Sequence, residues 1–343
     1  MTADAPLLEV IDLSVDYVTP TGRVRAVDRV SFTVGRGEIF GLAGESGSGK
    51  STVVHALMRT LGPPAVISGG SVRFAGRDVL AMSDAELRAF RWRDMALVFQ
   101  SAMDALNPVL TIGEQLVDTI QAHERVGKGD ARARGKALLE LVGLDPGRID
   151  SHPHQLSGGM RQRVAIAIAL ALSPPLLLMD EPTTALDVVV EKEILQKLLE
   201  LKSRLGFSVV IITHDLPLML ELCDRMGVLY AGRLAEIGPA RALAESPAHP
   251  YTRGLMKAFP SLLGPRQPLI GIPGSPPSLA APPPGCRFHP RCELAVPTCR
   301  ATAPALTVRG PDHRAACPVT EQSYAAGRTR GSDAADRVGT EAE

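Results

Sequence analysis

The stretch that decides the reading of this chain is GESGSGKST, Gly44 to Thr52. It fits the pattern G-x-x-x-x-G-K-[ST], and its flanks fit too: IFGLAG before it reads as a short buried strand, TVVHALMRTL after it as a helix. Glycines at such a junction let backbone N–H groups curl round a phosphate chain at a helix start. There Lys50 neutralises β and γ oxygens, and the Ser51 hydroxyl can ligate Mg²⁺. The candidate phosphate-binding residues are therefore Gly44, Glu45, Ser46, Gly47, Ser48, Gly49, Lys50, Ser51 and Thr52.

Three further apolar runs, MALVFQ, LLLMDE and SVVIITHD, each end in polar residues, as parallel strands with functional C-terminal ends do. Helix-period segments alternate with them to about residue 245, which predicts an α/β fold. Near the start, LLEVIDLSVDY and VDRVSFTV alternate like antiparallel strands, and RMGVLYAGRLAEIG reads as a hairpin turning at Ala231-Gly232. Ser83 and Glu86 are spaced as a capping box, and EKEILQKLLELKSRLG is a helix closed by Gly206. Between Gln100 and Gln155 the pattern is mainly helical, as in an inserted subdomain.

The longest apolar run, VAIAIALALSPPLLLM, is broken by Ser173, Pro174 and Pro175, so it reads as helix, turn and strand rather than a membrane span. MTADAPLLEV lacks the basic start and apolar core of a signal peptide. Hydrophobic residues make up 45% of the 343, enough for a buried core, while Lys plus Arg and Asp plus Glu both total 37. No global charge excess argues for nucleic acid or an anionic membrane surface. A cytoplasmic location is expected, where thiols stay reduced.

LLLMDE sets Asp180 and Glu181 at a strand end, where a carboxylate pair is costly unless a cation or water meets it. Asp180 would hold Mg²⁺, usually through water, and Glu181 would act as general base on the attacking water; an acidic helix cap is the other reading of the pair. IITHD sets His214 where an imidazole could hydrogen-bond a γ-phosphate, and Gln100, closing MALVFQ, could sense both Mg²⁺ and water. In LSGGMRQR, Ser157, Gly158 and Gly159 offer a hydroxyl and backbone N–H groups at a second helix start. The two phosphate sites need not meet within one chain. A head-to-tail dimer would sandwich each nucleotide between one chain's loop and the other's LSGGM.

Taken in order, these motifs resemble an ATP-binding cassette (ABC) ATPase: GESGSGKS the Walker A motif, Gln100 the Q-loop, LSGGM the signature, LLLMDE Walker B, Ala185-Leu186-Asp187 the D-loop, and His214 the switch histidine. Ala185 stands where serine is frequent. The resemblance implies a P-loop NTPase with a RecA-like core, an antiparallel β-subdomain and a helical subdomain at about 101–160, all within 1–247. Tyr17 matches the position on which adenine stacks, with Val27 as a second candidate. SAMDALNPVLTIGEQL, DEPTTALDVVV and HPYTRGLMKAFP are similar to segments of importer ATPases for oligopeptides, dipeptides and nickel. That family implies ATP and Mg²⁺, a second ABC ATPase subunit, two transmembrane permeases, an extracytoplasmic binding protein, and a peripheral place on the cytoplasmic face of the membrane. A nickel or other small-solute importer is the alternative to a peptide importer, with an exporter or a soluble ABC ATPase behind it.

Past Ala248 prolines crowd GIPGSPPSLAAPPPG and periodicity fades, so a separate extension is expected over 248–320, with a disordered tail over 321–343. It carries Cys286, Cys292, Cys299 and Cys317 at spacing C-x5-C-x6-C-x17-C, which by itself selects no metal. Arg287, Arg291, Arg300, Arg309 and Arg314 would suit a negatively charged iron–sulfur centre, or a solvated surface. Some members of the resembling subfamily hold a four-iron, four-sulfur cluster on such cysteines. Zinc, with His289 or His313 as substitute ligands, and unliganded thiols stay open. A metal there would supply folding energy to a segment expected to lack its own core. Cys223 lies outside the set and reads as a buried small hydrophobe.

Overall fold

The structure, a computed structural model, describes residues 5–99, 106–183, 186–258 and 271–319. Gln100, Ala185 and the tail 321–343 therefore lie outside the described residues. Strands β1 (Leu8–Thr19) and β2 (Gly22–Val34) form a hairpin. After β3 (Ile39–Ala43) and helix α1 (Lys50–Leu57) come β4 (Ala65–Phe74) and β5 (Arg77–Asp78), which complete an antiparallel sheet of order β2-β1-β4-β5.

Helix α2 (Asp84–Phe90) starts at the Ser83–Glu86 capping box and leads into β6 (Met95–Val98). Helices α3 (Ile112–Gln121), α4 (Lys128–Leu141) and α5 (Gly158–Ala169) follow, and the two prolines then separate α5 from β7 (Leu176–Asp180). Next come α6 (Val188–Leu205), β8 (Ser208–Ile212), α7 (Leu216–Leu222), β9 (Arg225–Tyr230), β10 (Arg233–Pro239), α8 (Ala240–Glu245) and α9 (Pro250–Lys257). The last elements are α10 (Pro297–Ala301), β11 (Thr307–Gly310) and β12 (His313–Ala315).

The second sheet runs β11-β12-β10-β9-β3-β8-β7-β6, parallel from β9 through β6. Every residue of β3, β7 and β8 is buried, which is why these segments are apolar throughout instead of alternating. Their two faces still obey the period of two. Phe40, Leu42, Leu176, Leu178, Val210 and Ile212 pack with α1 and the antiparallel sheet. Ile39, Ala43, Leu177, Met179, Val209 and Ile211 pack with α5 and α6. The β9–β10 hairpin turns at Ala231 and Gly232, both at positive φ (47° and 83°), as a tight two-residue turn requires.

The segment after Ala248 is less separate than its composition predicts. β12 pairs antiparallel with β10, Glu236 opposite Ala315. Tyr251 is fully buried, and Phe288 packs edge-on to Tyr230 in the same core that covers the central sheet. This stretch thus has no periodicity of its own because it borrows the core of the cassette. Buried Glu236 fixes the join: it accepts from His313 Nε2 at 2.6 Å and from the N–H groups of Ala248 (2.7 Å) and His249 (2.9 Å).

Burial pushes the Glu236 carboxyl up, but the His313 ring, the N–H of Ala248, the Thr252 hydroxyl and the N–H of His249 outweigh it, leaving it below its ordinary 4.5. A depressed folded value stabilises above the unfolded one and is lost as pH falls through the folded one. We therefore expect Glu236→Ala to cost about 3 kcal/mol at neutral pH. Denaturant unfolding should show this deficit shrinking once the pH falls below about 4.5.

Candidate functional site

The loop from Gly44 to Gly49 follows β3 directly and delivers Lys50 as the first residue of α1. Gly44, Gly47 and Gly49 all lie at positive φ. At Gly44 a Cβ would stand 2.2 Å from the Leu229 carbonyl oxygen, and at Gly49 2.4 Å from that of Ala26, so the loop closes this tightly only with glycine. Lys50 Nζ donates to the carbonyls of Gly44 (2.8 Å) and Glu45 (3.0 Å) and is almost fully buried. Burial lowers its pKa, opposed by Glu181, Asp180 and Glu45.

Asp180 ends β7 with 1% exposure, and its Oδ1 accepts from Ser51 Oγ at 3.0 Å. Burial pushes this carboxyl up, against the Ser51 hydroxyl and the charges of His55 and Lys50. A divalent cation on Ser51 and Asp180 would relieve that cost, so the donor set fits Mg²⁺. Glu181 sits at φ 46°, with its N–H on the Ile212 carbonyl at 2.8 Å, and its Oε2 is 3.9 Å from His214 Nδ1. The His214 ring is 71% exposed.

A cavity of about 330 Å³ is lined by Tyr17, the loop from Ser46 to Thr52, and Glu181, a volume in the range of small-ligand sites. The Tyr17 hydroxyl lies 3.3 Å from Thr52 Oγ1. Val27 is not a lining residue: it is fully buried in the core between the sheets, and Val24 and Ala26 of the same strand line the cavity instead. The alternation of β2 turns Val27 away.

Other expected residues stand apart from this cavity. Ser157 caps α5 by accepting from the Met160 N–H (3.4 Å), with Gly158 and Gly159 as the first helical residues. Asp187 caps α6, accepting from the N–H groups of Val189 and Val190 at 3.1 and 3.0 Å. Two features of the site escaped sequence reading. His55, one turn beyond Ser51 on α1, sets Nε2 3.8 Å from Asp180 Oδ2, and its i,i+4 spacing could have found it. Leu279, from the proline-rich stretch, lines the cavity with no local signal at all.

Cys286, Cys299 and Cys317 draw together, and none of the four extension thiols is in a disulfide. The Cys286 N–H donates to the Cys299 carbonyl at 2.8 Å, and Cys299, Cys317 and Val319 share a small buried cluster against Cys286. Burial raises the Cys286 thiol and pushes that of Cys292 up to about 12, which disfavours the thiolate form of these two. Among the described residues, no group of three or more His, Cys, Asp or Glu is placed to hold a single metal ion. The histidines are engaged elsewhere: His313 by Glu236, and His289 Nδ1 2.9 Å from the Cys286 carbonyl. Arg287 and Arg291 turn away from the thiols into ion pairs with Asp28 and Glu45, whereas Arg300, Arg309 and Arg314 are exposed.

A phosphate loop and a glutamate lining one cavity, with a buried strand-end aspartate bonded to the loop serine, define a P-loop nucleotide-binding cassette. The chain matches the ABC transporter family over residues 27–184 and the oligopeptide/dipeptide transporter C-terminal region over 235–299. It is 42% identical over 319 residues to the dipeptide transport ATP-binding protein of Bacillus subtilis, covering 92% of this chain and 95% of that one. The oligopeptide transport ATP-binding protein of Salmonella typhimurium is 43% identical, with the same coverage. A dimeric ATP-binding cassette in a post-hydrolysis state, bound to ADP and Pi, aligns with TM-score 0.62 at 30% identity, over 68% of this chain and 99% of that one. The chain belongs to the ABC transporter ATP-binding proteins of the oligopeptide/dipeptide type.

Lys50→Ala should weaken MgATP binding about a hundredfold, the scale of one lost charge-assisted contact. Titration calorimetry on the full chain measures it.

Proposed function

We propose that this chain is the ATP-hydrolysing subunit of a membrane importer for dipeptides or oligopeptides. One observation carries the reading. A phosphate loop and Glu181 line one cavity, with buried Asp180 bonded to Ser51 behind it, in a chain whose C-terminal segment matches the peptide-transporter region and is built into the same core. Among the described residues no helix is long and apolar enough to cross a membrane. Passage of the solute is accordingly assigned to two separate permease subunits, on whose cytoplasmic side this chain is peripheral, and its delivery to an extracytoplasmic binding protein.

In this reading Gly44 to Thr52 wrap the triphosphate, Lys50 leaves its two loop carbonyls for the β and γ oxygens, and Tyr17 stacks on adenine. Ser51, Asp180 and Gln100 would hold Mg²⁺, which when bound would neutralise charge at the transferred phosphoryl group. Glu181 accepts the proton of the attacking water, and His214 orients that water from the adjacent strand end. Ser157, Gly158, Gly159 and Asp187 stand outside the cavity and would complete it from a second ATPase subunit, identical or homologous. Closure on ATP and reopening after hydrolysis make the dimer a two-state element whose balance the nucleotide shifts. We read 1–247 as the cassette and 248–320 as the extension.

The extension thiols are read as ligands of a four-iron, four-sulfur cluster in preference to zinc. A four-thiolate zinc site needs sulfurs about 3.8 Å apart, given Zn–S bonds near 2.3 Å. A polynuclear core is held by four Cys thiolates spread over several irons, so it does not need the sulfurs gathered round one ion. The cluster's part would be structural, fixing the loops that carry Arg287 and Arg291.

Glu181→Gln should keep ATP binding while cutting turnover by about 10² to 10⁴; an unchanged hydrolysis rate removes the general base. Protein purified without oxygen should contain iron and acid-labile sulfide, and a colourless, zinc-only preparation contradicts the cluster. Uptake by vesicles carrying the chain with its permeases should follow short peptides; uptake of nickel alone would favour the metal importer.

A further inference from the structure

The extension reaches further than the sheet edge, because two of its residues hold one residue of the phosphate loop. Arg291, whose side chain is 6% exposed, makes a two-pronged ion pair with Glu45: Nη1 to Oε2 at 2.7 Å and Nη2 to Oε1 at 3.0 Å. The same guanidinium donates through Nη1 to the Tyr230 hydroxyl (3.2 Å) and through Nε to the Pro273 carbonyl (2.7 Å). From the other side the Glu45 N–H donates to the Tyr251 hydroxyl at 2.9 Å. The Glu45 carbonyl in turn accepts from Lys50 Nζ. A continuous set of polar contacts therefore runs from the cysteine-bearing loop, through the single residue Glu45, to the Lys50 ammonium.

A planar, always-charged fork fixes a carboxylate in both distance and orientation, which a lysine or a water network does not. Held by its side chain and by its own N–H, Glu45 cannot rotate its peptide, and the loop keeps one shape before nucleotide arrives. Preorganisation of this kind lowers the cost of ordering on binding. It acts alike on bound ATP and on the transition state, so it belongs in KM and not in kcat. Leu279, from the segment that Arg291 also ties down through Pro273, Gly274 and Ile272, lines the nucleotide cavity itself. We infer that Arg291 is a positioning residue for the phosphate loop, acting through Glu45, and that the extension is thereby a working part of the nucleotide site. The inference rests on reading Gly44 to Thr52 as the ATP loop.

ATP hydrolysis by the full chain tests it. Arg291→Gln should raise the KM for ATP about five- to tenfold with kcat within about twofold, and Glu45→Gln, which removes the same contact from the loop side, should raise KM to a similar extent. Because both act through one contact, the double variant should be no worse than the poorer single one. An unchanged KM in Arg291→Gln, a fall confined to kcat, or effects that multiply in the double variant would overturn the inference. Should Arg291→Gln fail to fold, Glu45→Gln, whose side chain is 25% exposed, reads the same link from the loop, and an unchanged KM there overturns it equally. A wild-type chain that neither binds nor hydrolyses MgATP would remove the underlying reading instead.

Discussion

A carboxylate with 1% exposure at the end of a strand buried on both faces cannot stand without compensation, and the arrangement round Asp180 follows from that. Its oxygen accepts from Ser51, across the width of β8, because the sheet order β3-β8-β7 puts one strand between the loop and the acid. Lys50 is buried close by and feels the same charge. Loop, acid and sheet thus constrain one another: the register of three parallel strands sets where a phosphate chain and a cation can meet. A divalent cation on Ser51 and Asp180 would offset the cost of burying that acid.

Features that depend on a few neighbouring residues were legible in the sequence. The phosphate loop is one, since Gly44 and Gly49 answer to backbone oxygens that any side chain would strike. The hairpin at Ala231-Gly232, the capping box at Ser83 and the Gly206 stop of α6 are others, each written within about four residues. The parallel strands were legible because burial on both faces leaves no polar alternation.

What escaped reading was long-range or was decided by which face a residue presents. Val27 was a plausible neighbour of adenine until the pleat of β2 assigned it to the core. The join of β12 to β10 lies 77 residues along the chain, from Glu236 to His313, and leaves no periodic trace. Sparse apolar residues made the extension look coreless, whereas Tyr251 and Phe288 enter a core already formed by others. Its arginines divide by the same logic. Two of the five reach acids, Asp28 and Glu45, and no local pattern distinguishes them from the exposed Arg300, Arg309 and Arg314.

The contact between Glu45 and Arg291 spans 246 residues. During translation at about 5–20 residues per second, the arginine is made roughly 12 to 50 seconds after the glutamate. Through that interval the nascent chain can form β3 and α1, yet its glutamate has no partner from the far end. The loop that opens the domain is therefore among the last pieces to reach its final form, and its maturation is timed by elongation and by the folding of the closing segment.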